Sequence, residues 1–292
     1  MDSLFLQLKF ILITFSISSI CLLICWMYDY FQFQYPYDKT KDKLPFRLVA
    51  VSFALFLGIA VIIIPGITYA WLSYLHGGFP SAKDFEITNV QQGWGNVLSI
   101  GFTFFALIVY LIRRSGPSFF KIFGENFFKI RCWPKDIALG IGTWFICIPL
   151  VATVDGVIQL FIKYFFAKDP VEQVAVQQLK LSVQDPLLYT LTILCVVIVV
   201  PIMEEILFRG ILLSWIRTFV GRGWSITISA FIFACFHFSS NQGITNIQII
   251  LDLFVLSCFL GFIYERQQSL LSPIFLHITF NAVSVIRLFS DY

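Results

Sequence analysis

The sequence predicts an all-α fold: a polytopic membrane helical bundle of about eight transmembrane helices. Three observations predict it. Of 292 residues, 58% are hydrophobic and only 13% charged, against about 45–50% and about 25% in a soluble domain. The mean hydropathy is +0.84. The apolar residues gather in runs close to the roughly 17–25 residues a membrane helix needs. An integral, multi-pass membrane location follows, with membrane lipid as the surrounding partner. The net charge of +3 is small. No basic tract interleaves with aromatics, so no nucleic-acid partner is expected.

The apolar runs mark eight spans: 10–27, 48–75, 97–112, 137–162, 187–216, 224–238, 247–264 and 270–289. The first has 18 uncharged residues and no preceding basic stretch, so it reads as a retained span and not as a signal peptide. The second is long, and Pro65-Gly66 predicts a kink within it. The third and sixth are short. Between the third and fourth, residues 113–136 mix Phe119, Phe120, Phe123, Phe127 and Phe128 with Lys121, Lys129 and Arg131, the composition of a helix lying in the membrane interface. Residues 167–186 are polar and carry no evident chemistry. His76, beside Gly77-Gly78, reads as an interfacial loop residue.

Charge orients the set. The side holding residues 113–136 carries 13 lysines and arginines and the other side six, with Arg209 set apart. The richer side is therefore cytoplasmic. Six of the seven cysteines fall in apolar runs and read as small buried hydrophobes.

The chemistry gathers in the last third. Pro201-Ile-Met-Glu-Glu-Ile-Leu-Phe-Arg-Gly210 follows an uncharged run, 187–200. Each charge inside lipid costs about 2.5–3.5 kcal/mol on insertion scales, so an intramembrane charge is a functional-site hypothesis with a partner to be found. Glu205 and Arg209 are four apart and can pair on one helix face. Glu204 lies about 100° around the helix and faces elsewhere. His237 and His277 also lie within spans, and Asn281 shares a helix face with His277. If spans five and six turn near residues 220–221, Glu204 and His237 are each roughly 20 Å from that turn. His277 is only roughly 10 Å deep by the same measure, a gap that tilt or a later helix start must close. Asp155 and Asp252 are also intramembrane and read as facing a polar cavity or capping a bend.

A glutamate can act as general base on water, and a histidine can orient that water or take its proton. A second histidine and an amide suit a developing oxyanion. No serine or cysteine stands as an evident nucleophile, which favours direct attack by water. The same residues can also be only buried hydrogen bonds that fix packing. Six such groups in 78 residues of apolar chain are harder to explain that way.

At these residues the chain resembles the CAAX protease and bacteriocin-processing family of intramembrane endopeptidases, which includes the type II CAAX prenyl endopeptidases. Three motifs carry the resemblance: Glu204-Glu205-Ile-Leu-Phe-Arg209, Phe233-Ala-Cys-Phe-His237 and His277-Ile-Thr-Phe-Asn281. The 261–273 segment looks like the family's approach to its last motif. The resemblance implies a catalytic helical core at 187–289, preceded by a variable transmembrane region at 1–180. It implies that Glu204 and His237 activate water, that His277 and Asn281 stabilise the oxyanion, and that Glu205, Arg209 and Phe233 support the site. One Glu and two His also match a three-ligand zinc site with an open position. With no HExxH motif the metal-free reading is favoured, so no cofactor and no metal is assigned, while zinc stays open. The expected partner is a peptide or lipidated protein substrate. Two other functions stay in view: a non-proteolytic scaffold or immunity protein binding through the same pocket, and a transporter relaying protons between Glu204 and His237. The intact motif set favours the enzyme, and the lack of a visible inverted repeat counts against the transporter.

Overall fold

The computed structural model describes residues 2–35, 44–75, 88–116, 118–166 and 174–290. His76 and part of the 167–186 segment lie outside them. The described chain is all-α, with no strand. Backbone groups in lipid must bond within their own segment, and helices allow that. In chain order the helices are α1 (Asp2–Met27), α2 (Phe46–Leu57), α3 (Ile64–Leu75), α4 (Asn89–Arg114), α5 (Ser118–Phe123), α6 (Trp133–Phe166), α7 (Val174–Ser182), α8 (Pro186–Leu194), α9 (Val200–Glu204), α10 (Ser214–Val220), α11 (Arg222–Cys235), α12 (Thr245–Gln267) and α13 (Leu271–Ser290). Three π-helical segments, Gly58–Ile63, Cys195–Val199 and Glu205–Leu213, join α2 to α3, α8 to α9 and α9 to α10.

Seven helical stretches are long and apolar enough to cross a membrane: Leu4–Met27, Phe46–Trp71, Val90–Arg114, Ile130–Phe166, Pro186–Val220, Thr245–Gln267 and Leu271–Ser290. The chain is an integral, multi-pass membrane protein. The sixth span expected from the sequence is the exception. Its 14-residue helix α11 stops at Cys235, roughly 21 Å of rise, and His237 lies just beyond it. The third is longer than its apolar run, because a Thr88–Gln91 capping box starts α4 upstream of that run. The bend in the second span is a π-segment that ends just before Pro65, whose ring nitrogen has no hydrogen to donate.

Helix α6 runs the depth of the bundle and packs against α1, α12 and α13. Close backbone approach holds α6 to α13: a methyl on Gly140 would come within 2.4 Å of the Ser272 carbonyl oxygen. One buried cluster centres on Met203, Ile206, Leu207, Phe208 and Ile211 with Phe233 and Tyr264. A second joins Cys147 and Val151 of α6 to Leu256, Leu260 and Ile263 of α12.

The Phe-rich segment, expected to be an interfacial helix, is anchored to the bundle on one face and leaves Phe120 and Phe128 exposed. Its helix α5 is six residues long, and Ile122 is fully buried. It packs against the turn between α12 and α13 and closes that end of the bundle. Leu270 N–H donates to the Phe123 carbonyl at 2.9 Å, Asn126 N–H to that of Gln268 at 3.0 Å, and the Asn126 side-chain amide to that of Gln267 at 2.8 Å. Gly124 permits this approach. Its φ is +87°, and a β-carbon there would sit 2.4 Å from the Gln268 oxygen. Ser269, Leu270 and Ser272 are consequently buried.

On the same side, Glu265 of α12 binds Arg217 of α10 at 2.7 Å and Arg222 of α11 at 3.0 Å. One buried carboxylate thus fixes three helix ends. All seven cysteines are free.

Candidate active site

Glu204 ends α9 and Glu205 begins the nine-residue π-segment that carries Arg209. A π-turn bonds i to i+5, and such turns cluster at functional sites. Two serines take carbonyls of this segment. Ser229 Oγ donates to the Phe208 carbonyl at 3.0 Å, and Ser214 Oγ to that of Arg209 at 3.2 Å. Gly210 lets α5 close in: a β-carbon there would lie 2.7 Å from Ile122 Cγ2 and 2.8 Å from its carbonyl oxygen.

Within the π-segment Arg209 Nη1 donates to Glu205 Oε1 at 2.9 Å, and both side chains are fully buried. Arg209 Nη2 donates to Ser257 Oγ of α12 at 2.6 Å. The guanidinium lies over the Phe233 ring, 4.6 Å from its centroid. The buried charge therefore has a carboxylate, a hydroxyl and an aromatic face as partners, as a buried ion requires.

His277 Nδ1 lies 2.8 Å from the same Glu205 oxygen. A carboxylate only accepts, so that nitrogen donates and Nε2 points the other way. Nε2 lies 3.7 Å from Glu204 Oε2. The other oxygen, Glu204 Oε1, lies 3.8 Å from His237 Nε2. His237 Nδ1 is 3.0 Å from the Phe233 carbonyl. A carbonyl cannot donate, so Nδ1 carries the hydrogen and neutral His237 presents a bare Nε2 to Glu204. The phenylalanine four residues before His237 thus acts through its backbone as well as its ring, which stands 4.8 Å from the His237 ring and 6.0 Å from that of His277.

The structure brings Glu204, His237 and His277 together around one carboxylate, with Glu205, Arg209 and Phe233 directly behind. Asn281 is one turn beyond His277, and its amide donates to the Val196 carbonyl in the Cys195–Val199 π-segment at 2.9 Å. That bond uses one of two amide hydrogens. The depth gap of His277 closes without a later helix start. The α12–α13 turn is buried against the α5 segment, and the wide π-turn shortens the Glu204–Gly221 path along the axis.

Exposure is one-sided. The His237 side chain is 32% exposed, while Glu204 shows 11% and His277 4%. His237 is thus the most exposed member of the cluster. Beside it lie Phe236, 39% exposed, and Phe53 of α2, whose ring centroid is 5.8 Å from that of Phe236.

A three-ligand metal site here would have to be built from Glu204, His237 and His277, but among the described residues no three His, Cys, Asp or Glu side chains are grouped so that they could hold a metal ion. Asp155 and Asp252 form a separate polar group between α6 and α12. Asp155 accepts from Gln159 at 2.9 Å and from Gln248 at 2.5 Å, and it faces Asp252. Sequence reasoning missed Ser257. A lone serine in an apolar run gives no signal until the arginine it serves is known.

Fold and site together define a polytopic membrane protein with a Glu–His cluster enclosed at the end of a π-helical turn. Residues 186–283 match the family model described as type II CAAX prenyl endopeptidase Rce1-like, which agrees with the resemblance carried by the three motifs. That family supports reading the chain as a CAAX-type intramembrane protease. No curated protein and no solved structure matches the chain.

Proposed function

We propose that the protein hydrolyses a peptide bond of a membrane-associated or lipidated, CAAX-like substrate, using a water activated by Glu204 and His237. One observation carries the proposal: the two histidine Nε2 atoms approach different oxygens of one buried carboxylate, at 3.8 and 3.7 Å. A water at ordinary hydrogen-bond distance from Glu204 Oε1 and from His237 Nε2 can donate one hydrogen to each. Both acceptors then raise the electron density on its oxygen and are placed to take a proton as it attacks.

The attacking oxygen bonds the peptide carbon, and the carbonyl oxygen becomes an oxyanion. His277 and the remaining amide hydrogen of Asn281 are the candidate donors to it. For His277 this role needs a proton on Nε2 in addition to the one shared with Glu205. The proton taken from water passes to the leaving amine as the carbon–nitrogen bond breaks. Glu205 and Arg209 touch no reacting atom in this scheme; they set the angle of the His277 ring.

The exposed side of the site supports this substrate class. A peptide arriving past His237 meets Phe236 and Phe53 within the bundle, an environment suited to an apolar or lipidated tail beside the scissile bond. The catalytic unit proposed is 187–289, with 1–180 contributing the α5 plug, α6 and the aromatic wall. The test is cleavage of an internally quenched farnesylated CAAX peptide by purified protein in lipid nanodiscs. Turnover by the wild type, and a loss of about 10²–10⁴-fold in Glu204→Gln, is expected. Equal turnover by both would remove Glu204 from the mechanism.

A further inference from the structure

His237 stands outside the helix that delivers it. Helix α11 ends at Cys235. End-of-helix turns hold the backbone of the next residues, Phe236 N–H to the Ile232 carbonyl, His237 N–H to Ala234 and Phe238 N–H to Cys235, each at 3.1 Å, and the His237 ring is tied back to the Phe233 carbonyl through Nδ1 at 3.0 Å. The helix-side bonds fix one flank of His237, and the loop after it must fix the other. That loop, Ser239 to Ile244, holds a three-residue 3-10 turn, Ser240–Gln242, and Gly243 at φ +51° and ψ −127°, a conformation essentially restricted to glycine.

One side chain ties this loop down. Asn246, in the first turn of α12, is 4% exposed. Its Oδ1 accepts from Ser239 N–H at 2.9 Å, and its Nδ2 donates to the Ser239 carbonyl at 2.7 Å and the Gly243 carbonyl at 2.9 Å. Three of its four hydrogen-bonding positions are filled by this one loop. Both backbone groups of Ser239, two residues after His237, close on a single amide.

We infer that Asn246 is a positioning residue for the reaction: its amide fixes Ser239 and Gly243 and so sets where His237 Nε2 stands relative to Glu204. This rests on the reading of His237 as half of the water-activating pair. Asn246 touches neither water nor substrate, so its removal acts on the chemical step and leaves binding alone. Misplacement by about 1 Å costs roughly 10²-fold in rate.

The experiment compares Asn246→Ala, Asn246→Asp and His237→Ala with wild type in nanodiscs, on the farnesylated quenched peptide, with melting temperature recorded for each. Asn246→Asp keeps the shape but sets a carboxylate oxygen against two carbonyls. Expected for both Asn246 variants is a fall in kcat of about 10- to 100-fold with KM within about twofold, since only the transition state loses an interaction. Wild-type kcat in Asn246→Ala, with His237→Ala inactive, overturns the positioning role and leaves the catalytic role of His237 standing. Activity retained by His237→Ala overturns both. A raised KM with unchanged kcat also overturns the inference, because it places Asn246 in binding. If the Asn246 variants cannot be purified folded, Gly243→Ala decides. Its added methyl meets no atom within 4 Å yet strains the same turn, and an unchanged kcat there sinks the proposal.

Discussion

Glu205 holds His277. A single oxygen of that fully buried carboxylate lies 2.8 Å from the histidine's Nδ1 while accepting from Arg209 at 2.9 Å. The imidazole cannot turn without breaking this contact, so its Nε2 stays aimed at Glu204. The pair joins two helical segments 72 residues apart and converts an ion pair within one segment into a positioning device across the bundle.

Removing the cation from this device should show in stability. Arg209→Ala leaves Glu205 charged and enclosed with its main partner gone, a change that costs about 3–5 kcal/mol when a buried pair is broken. The melting temperature in detergent should fall by many degrees, and cleavage should fall with it. An Arg209→Ala protein as stable as wild type would mean that Glu205 is neutralised in another way.

Glu204→Gln and His237→Ala should each lower kcat by about 10²–10⁴-fold, the usual contribution of general acid–base catalysis. Neither should melt far from wild type, because Glu204 meets its histidine neighbours at 3.7 and 3.8 Å, beyond ordinary hydrogen-bond distance, and His237 is a third exposed. Circular dichroism and size-exclusion profiles check the fold, and the quenched-peptide assay reads the rate.

Chelation separates the two chemistries left open by a Glu and two His. Activity should survive incubation with excess EDTA or phenanthroline followed by gel filtration. Activity lost on that treatment and regained on adding zinc would reassign all three side chains as metal ligands.

Gly140→Ala probes the seam between α6 and α13. The new methyl would press to 2.4 Å against the Ser272 carbonyl, 3.0 Å against Phe275 Cβ and 3.1 Å against Leu276 N. The neighbours are mostly backbone, so the helices must part. Overpacking of this kind costs about 1–3 kcal/mol. Because the displaced strip of α13 leads directly into His277, kcat should drop along with melting temperature. Gly142→Ala, which meets nothing within 4 Å, serves as the control and should match wild type.

The fold class and the membrane location were legible because apolar runs and missing charges are properties of composition. So was the meeting of Glu204, His237 and His277, for a related reason. Ionisable groups placed in lipid need partners, and few candidates stood within reach. The Glu205–Arg209 pair followed from four-residue spacing, which survives in a π-turn. What stayed hidden has no period to betray it. Nothing in Glu-Ile-Leu-Phe-Arg announces a π-turn, since the serines that take its carbonyls, Ser214 and Ser229, meet it only in the folded bundle. The anchoring of residues 113–136 to the bundle was hidden because Ile122 and Asn126 find partners more than 140 residues downstream. Asn246 and Ser257 look like ordinary polar interruptions until their distant partners are known.

The sunken turn between α12 and α13 has a bearing on biosynthesis. A membrane protein is threaded out N-terminus first, so the 118–127 plug is made long before residues 268–270 leave the ribosome. The last hairpin thus arrives at a prepared seat, and its serine-rich bend is spared a stay in bare lipid. A circular permutant that moved the plug behind α13 would reverse this order. It would have to shelter the bend in some other way, and a quality-control protease would be the first to notice.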